Sequence, residues 1–337
     1  MSDLQQPLPR VVILATGGTI AGASSDQADT SAYEVGSITG ESLVQALPAL
    51  RDMARLSVEQ VCNVPSSDLG QAEVLALARR VNQHLADPLV AGVVVTHGTD
   101  TLEETAFFLE LTTQGGGKPV VLVGAMRPAT AWSADGPLNL LQAVALAVSP
   151  SATGRGVLVV MNDRIESAFY VAKSATTALD AIRSTEQGSL GMFVGLRPGF
   201  FYSAAVPTGR ANFDVAHLEA LPKVVIVYLH QDQDCEQMDL AIESGARGIV
   251  LAGAGAGSVA ARMKSRLQEL TRQGFPVVRS SRTGAGFAVK EDGGGVASGI
   301  LNPQKARILL MLGLAQAADL QRVRQLFAPC ALQEAHP

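Results

Sequence analysis

Cysteine is scarce in this chain. Its three residues of that type, Cys62, Cys235 and Cys330, stand far apart and form no CxxC pair. This excludes a disulfide framework and a cysteine-ligated metal site, and leaves three separate thiols. Aromatics are thin as well, at 4% with one Trp and four Tyr, so a stacking platform for nucleic-acid bases is missing. There is no basic run and the net charge is −5, which speaks against nucleic acid as a partner. No stretch of about 18 consecutive apolar residues is present, so no membrane-spanning helix is expected. The opening residues, Met1–Arg10, are polar, carry two prolines and lack an apolar signal core. The expectation is a cytoplasmic location, or a periplasmic one if a leader has been removed.

What is present is a large apolar content broken by glycine. Hydrophobic residues make up 47% of 337 positions, and the 33 glycines fall between apolar runs. That length predicts two domains, and alternating strand and helix patterns predict the α/β class. Strands are expected at 10–15, 56–64, 93–96, 120–123 and 156–161, with helices over 40–47, 70–85, 102–109 and from Pro137 onward. Residues 23–38 have neither period and read as a long exposed loop containing Tyr33, of the kind that forms lids. Residues 164–188 are mixed, and 189–208 suggest a hairpin. Polar, proline-containing chain at 209–222 reads as a linker between an N-terminal α/β catalytic domain (1–208) and a C-terminal α/β domain (223–337). In the latter, strands are expected at 223–229, 249–251 and 276–278, helices at 236–245, 258–273 and 304–317, and a Gly-rich loop at 280–298.

Two turns concentrate polar residues directly after strands. Thr16-Gly17-Gly18-Thr19 follows the first strand, and Thr96-His97-Gly98-Thr99-Asp100 follows Val93-Val94-Val95. Both lie beyond the carboxyl ends of strands, where open α/β sheets place ligands. Glycine there lets backbone N–H groups face an anion or an oxyanion. A Thr hydroxyl in such a turn is either a nucleophile activated by a base or a side chain bonded to nearby backbone. Asp100 can bind a cationic amino group or simply sit at a helix N-terminus. His97 reads as structural, Lys173 as a solvated lysine, and Arg127, Asp135 and Asn139 as supports of a loop and its helix. Gly253-Ala254-Gly255-Ala256-Gly257-Ser258 fits part of a dinucleotide fingerprint but lacks the acid expected about 20 residues later, leaving only an NADP-like version.

Taken together, Ala15-Thr16-Gly17-Gly18-Thr19-Ile20-Ala21-Gly22 and Thr96-His97-Gly98-Thr99-Asp100-Thr101 resemble the two signatures of the bacterial-type L-asparaginase and glutaminase-asparaginase family. Gly124–Pro128, Ser133–Asn139, Asn162-Asp163 and Leu301–Arg307 resemble that family too. The resemblance implies a two-domain fold, a flavodoxin-like doubly wound N-terminal domain with a smaller α/β C-terminal domain. It implies hydrolysis of L-asparagine to L-aspartate and ammonia with no cofactor and no metal, and some activity on L-glutamine. It matches Thr19 to the nucleophile, Tyr33 to a lid tyrosine, Thr99 to a second catalytic threonine and Lys173 to the lysine that activates it. Gly18, Ser66, Thr99 and Asp100 match substrate-binding positions. Ser67 stands where the family often has Gln or Glu, which reduces contact with the substrate's α-groups. The resemblance further implies a homotetramer with active sites at the intimate dimer interface, where a neighbouring subunit lends Ser258 and an acid, here Glu291 or Asp292, with Glu291 favoured. It makes the Gly253–Ser258 turn a substrate-side element in place of an NADP seat, and leaves as alternatives a non-catalytic amino-acid-binding or sensing protein and an NADP-dependent enzyme, with a tRNA-linked amidotransferase subunit behind them.

Overall fold

The computed structural model describes residues 7–30, 33–289 and 293–332. Strand β1 (Arg10–Gly17) carries the run Val-Val-Ile-Leu-Ala, with each of these side chains 2% exposed or less. A strand buried on both faces reads as a continuous apolar run and needs helices above and below it. The chain supplies them in order: α1 (Gly40–Gln45), α2 (Leu50–Met53), β2 (Arg55–Val64), α3 (Gln71–Ala86), β3 (Val90–Thr96), α4 (Leu102–Thr112), β4 (Val120–Val123), α5 (Gly136–Ala147) and β5 (Val157–Met161). The Thr39 side chain caps α1 by accepting from Ser42 N–H.

These five strands lie in the order β2-β1-β3-β4-β5, and every pair among them is parallel. That is the flavodoxin-like order, and the doubly wound sheet expected from the sequence is what the chain forms. Val11 and Ile13 of β1, Val94 of β3, and Val121 and Val123 of β4 pack with Leu50 and with Leu140, Ala143, Val144 and Leu146 of α5 on one face. Helices α3 and α4 cover the other. The direction of the chain reverses about β1: β2 lies on one side of it and β3 on the other.

The stretch 164–188, mixed by sequence, holds three strands: β6 (Arg164–Ser167), β7 (Ala172–Lys173) and β8 (Ile182–Arg183). β6 returns antiparallel to β5 through Asn162 and Asp163, both at positive φ (51° and 60°), with Met161 opposite Arg164. This is a two-residue hairpin turn of the primed kind, which Asn and Asp tolerate best. β9 (Gly191–Val194) and β10 (Arg197–Phe200) form the expected hairpin and extend the sheet to eight strands.

The chain divides into two units. The first runs to Val206 and includes Asp214–Ala216; the second holds Pro207–Phe213 and the chain from His217 on. The second unit is a four-stranded parallel sheet in sequential order: β11 (Val224–Tyr228), β12 (Gly248–Gly253), β13 (Val277–Ser281) and β14 (Val296–Ala297). Helices α6 (Glu236–Glu243) and α7 (Ala261–Arg272) bring Met238, Met263, Leu267 and Leu270 against Val227 and Leu251. Helix α8 (Pro303–Ala315), capped by the Asn302 side chain, packs on β11 and β12, and α9 (Leu320–Phe327) packs on α8. Two expectations change here. β14 lies inside the span read as loop, because two residues carry no period. α7 begins at Ala261 rather than 258, because Ser258 still belongs to the preceding turn, where its carbonyl accepts from Ala254 N–H and its N–H donates to Ala254.

Candidate active site

β1 and β3 are neighbours, and their carboxyl ends deliver Thr19 and Thr99 to the point where the sheet order reverses. Open α/β sheets form their ligand crevice at such a switch point. The two turns touch through glycine. Gly18 has φ 84° and ψ −175°, and a Cβ placed on it would stand 2.2 Å from Gly98 Cα and 2.3 Å from Gly98 N. Only glycine serves there, since this backbone region is closed to other residues and the space is already filled. Gly98 is packed in turn against Ser66 Oγ, 2.8 Å from where its own Cβ would be. Ser66 is 5% exposed and is held by Thr101, which donates from N–H to Ser66 Oγ (3.3 Å) and from Oγ1 to Ser66 O (2.7 Å). Thus the ends of β1, β2 and β3 form one packed rim.

Around Thr19 the polar partners are specific. Thr19, 7% exposed, shares a hydrogen bond of 2.7 Å between its Oγ1 and Tyr33 Oη. Tyr33 reaches it because Ala23 and Glu34 pair as an antiparallel bridge, folding the loop back. The loop is also pinned from the far side: Thr130 Oγ1 accepts from Ser24 N–H (2.8 Å) and donates to Ser24 O (3.1 Å), and Trp132 N–H donates to Gln27 O.

Around Thr99, 4% exposed, the partner comes from a distant strand. Lys173 Nζ lies 3.2 Å from Thr99 Oγ1 and 2.5 Å from Asp100 Oδ1. The Lys173 side chain is 17% exposed and that of Asp100 71%, so the amine is enclosed while the carboxylate faces outward. Lys173 is therefore no solvated surface lysine. Its backbone N–H donates to Glu103 Oε2 at 2.8 Å.

His97 is wholly buried, and burial pushes its imidazole down to about pKa 4, so it is neutral at pH 7. Its Nδ1 donates to Gly98 O at 2.7 Å, which makes Nδ1 the protonated nitrogen and leaves Nε2 without a partner among the described residues. A neutral ring spent on a backbone carbonyl is scaffold. Asp135 accepts from the N–H groups of Met126 and Arg127, and Asn139 donates to Gly124 O, so these residues hold the loop before α5.

The structure brings Gly18, Thr19, Tyr33, Ser66, Thr99, Asp100 and Lys173 to one edge of the first unit. Ser67 sits beside Ser66 but is exposed. Ser258 belongs to the second unit, in the turn after β12, with Gly255 and Gly257 at positive φ. That turn does not open a helix directly, so the phosphate seat of a dinucleotide site is not formed there. Glu291 and Asp292 lie outside the described residues. Sequence reasoning missed Glu103, Thr101 and Thr130. The first two fall inside or beside the motif already singled out, but nothing local marked their partners.

Comparison with known proteins bears on this geometry. The family described as Asparaginase, N-terminal matches residues 10–205, and the Glutaminase/Asparaginase C-terminal domain matches residues 223–327. The chain is 45% identical over 333 residues to L-asparaginase 2 of Bacillus subtilis (strain 168), covering 96% of this chain and 87% of the relative. It is 42% identical over 327 residues to the protein named "Probable L-asparaginase periplasmic" of Haemophilus influenzae, covering 95% and 93% respectively. A solved structure titled "Probable Cytoplasmic L-asparaginase from Campylobacter jejuni" superposes with a TM-score of 0.90 at 43% identity, over 95% of this chain and 99% of that one.

Proposed function

The chain belongs to the asparaginase family, and on that premise we propose that it hydrolyses L-asparagine to L-aspartate and ammonia with Thr19 as the nucleophile. The observation that carries this reading is the pairing of two enclosed threonines with distinct partners, Tyr33 on Thr19 and Lys173 on Thr99. Thr19 Oγ1 attacks the side-chain carboxamide carbon. Its proton leaves along the hydrogen bond to Tyr33 and ends on the departing nitrogen, so ammonia departs and an ester remains on Thr19. Thr99, relieved of its proton by Lys173, draws a proton from water, and the hydroxide adds to the ester. The ester C–O bond breaks, the acid is released, and the departing Thr19 alkoxide takes up the proton held by Lys173, which restores both the hydroxyl and the amine. The oxyanion formed in each step is met by backbone N–H groups of the Gly18–Thr19 and Thr99 turns, where fixed donors stabilise developing charge.

Binding follows from charge. Asp100, outward-facing and next to Lys173, takes the substrate's α-ammonium, and Ser66 takes its α-carboxylate. Ser67 offers a short side chain at the rim, which supports weaker hold on the α-groups. Ser258 supports a secondary glutaminase activity, below the rate on asparagine. The assembly is a homotetramer whose intimate dimers share sites, with Ser258 and Glu291 offered to the neighbouring subunit. No cofactor is required by this chemistry. The solved neighbour's title supports a cytoplasmic location, while another relative is named periplasmic.

The test is ammonia release from L-asparagine and L-glutamine across substrate concentration, with Thr19→Ala and Lys173→Met as controls. Proton-transfer groups of this kind contribute about 10²–10⁴-fold, so Lys173→Met is expected to fall within that range. No release from either amide by the parent protein overturns the reading. Turnover by folded Thr19→Ala near the parental rate removes Thr19 from its role.

A further inference from the structure

We propose that Glu103 is a positioning residue that holds Lys173 in place to serve Thr99. This rests on the assignment of Lys173 given above. Glu103 lies in the first turn of α4, four residues after Thr99, and is 6% exposed. Its Oε2 accepts the Lys173 backbone N–H at 2.8 Å across 70 residues of chain. A buried carboxylate is costly unless its hydrogen bonds are made, so its geometry is fixed. The bond it makes is charge-assisted, stronger than an amide–amide bond.

Lys173 needs such a clamp. It sits on β7, two residues long, paired among the described residues only with the equally short β8 in a separate two-stranded ribbon. A ribbon of that size has few ladder bonds of its own and depends on what it packs against, α4 among them. The side chain above it is long and flexible. Nζ is held at the tip by Thr99 and Asp100, and Glu103 holds the backbone at the root. Helix α4 is a stiff link between the two halves, because Leu102, Ala106, Phe107, Leu109 and Leu111 are fully buried. Thr99 and the anchor of its lysine are therefore referenced to one rigid helix start. The favourable place of an acid at a helix N-terminus does not explain this burial; a solvated carboxylate would serve the dipole as well.

The experiment compares Glu103→Ala, Glu103→Gln and Glu103→Asp by steady-state ammonia release, and repeats Glu103→Ala in the Lys173→Met background. Displacing a catalytic group by about 1 Å costs roughly 100-fold. Glu103→Ala is expected to lower kcat on that scale with KM changed less than about threefold. Glu103→Gln, whose amide oxygen accepts the same N–H, recovers most of the loss. Glu103→Asp, one methylene shorter, does not. In the double variant Glu103→Ala adds no further loss. If the alanine variant does not fold, the glutamine and aspartate variants carry the comparison. Parental kcat in Glu103→Ala, a glutamine variant slower than the aspartate one, or an additive double variant would each overturn the proposal. Parental turnover in Lys173→Met alone would instead remove the lysine assignment on which it rests.

Discussion

Gly18→Ala measures how much of the activity depends on contact between the two threonine-bearing turns. The added methyl would stand 2.2 Å from Gly98 Cα, 2.3 Å from Gly98 N and 2.9 Å from the His97 carbonyl carbon. All three are backbone atoms, so no side chain can swing away. Ordinary carbon contacts begin near 3.5 Å, so the turns must part by about 1 Å. Holding a non-glycine residue at φ 84°, ψ −175° adds strain of about 1–3 kcal/mol. A 1 Å displacement of reacting groups costs about 100-fold, or roughly 2.7 kcal/mol of barrier. The expected result is kcat for L-asparagine down about 100-fold with a lower melting temperature. Gly245→Ala is the control. It has φ 85° with nothing within 4 Å of its added carbon, at the end of α6, so it carries strain without collision. It should lose about 1 kcal/mol of stability and leave kcat alone. Assayed side by side by ammonia release and circular-dichroism melting, the two separate strain from displacement. A Gly18→Ala enzyme within threefold of the parent's kcat would show that the turns need not touch, and the account of the site would be wrong.

Two further outcomes follow from the same contacts. Burial lowers His97 from its usual 6.5 to about 4, so between those values the unfolded chain binds more protons than the folded one and stability falls as pH falls. The gap is worth about 3 kcal/mol; denaturant unfolding at pH 7 and pH 4 should show that much less acid sensitivity in His97→Gln, and equal slopes would refute it. Thr130→Val removes both hydrogen bonds to Ser24, each worth about 1 kcal/mol. That loosens the Tyr33 loop and should lower kcat/KM about tenfold; an unchanged value would mean the loop is held elsewhere.

Much of the first unit was legible because its signals are local. Val93-Val94-Val95 reads as a buried strand and the Gly-rich turns read as breaks, all from residues within a few positions of one another. The short pieces were not legible. β7, β8 and β14 have two residues each, too few to show a period, and exist because neighbouring strands offer them partners. Asn162-Asp163 follows the expected strand at 156–161, but β6 after it has only four residues, too few to show a period, so 164–188 reads as mixed.

The site divides along the same line. The sequence by itself determined that Thr19 and Thr99 each follow a strand, in glycine-containing turns. Family likeness supplied Lys173 as a name without a place. Only the tertiary structure decided that β1 and β3 lie side by side, so that the two turns meet at the switch point. Only it set Nζ against a hydroxyl 74 residues away, and bound the Lys173 backbone to Glu103. The reason is physical. Strand and turn preferences are set by neighbours in sequence, whereas which side chain meets which across a sheet edge is settled by packing of the whole core.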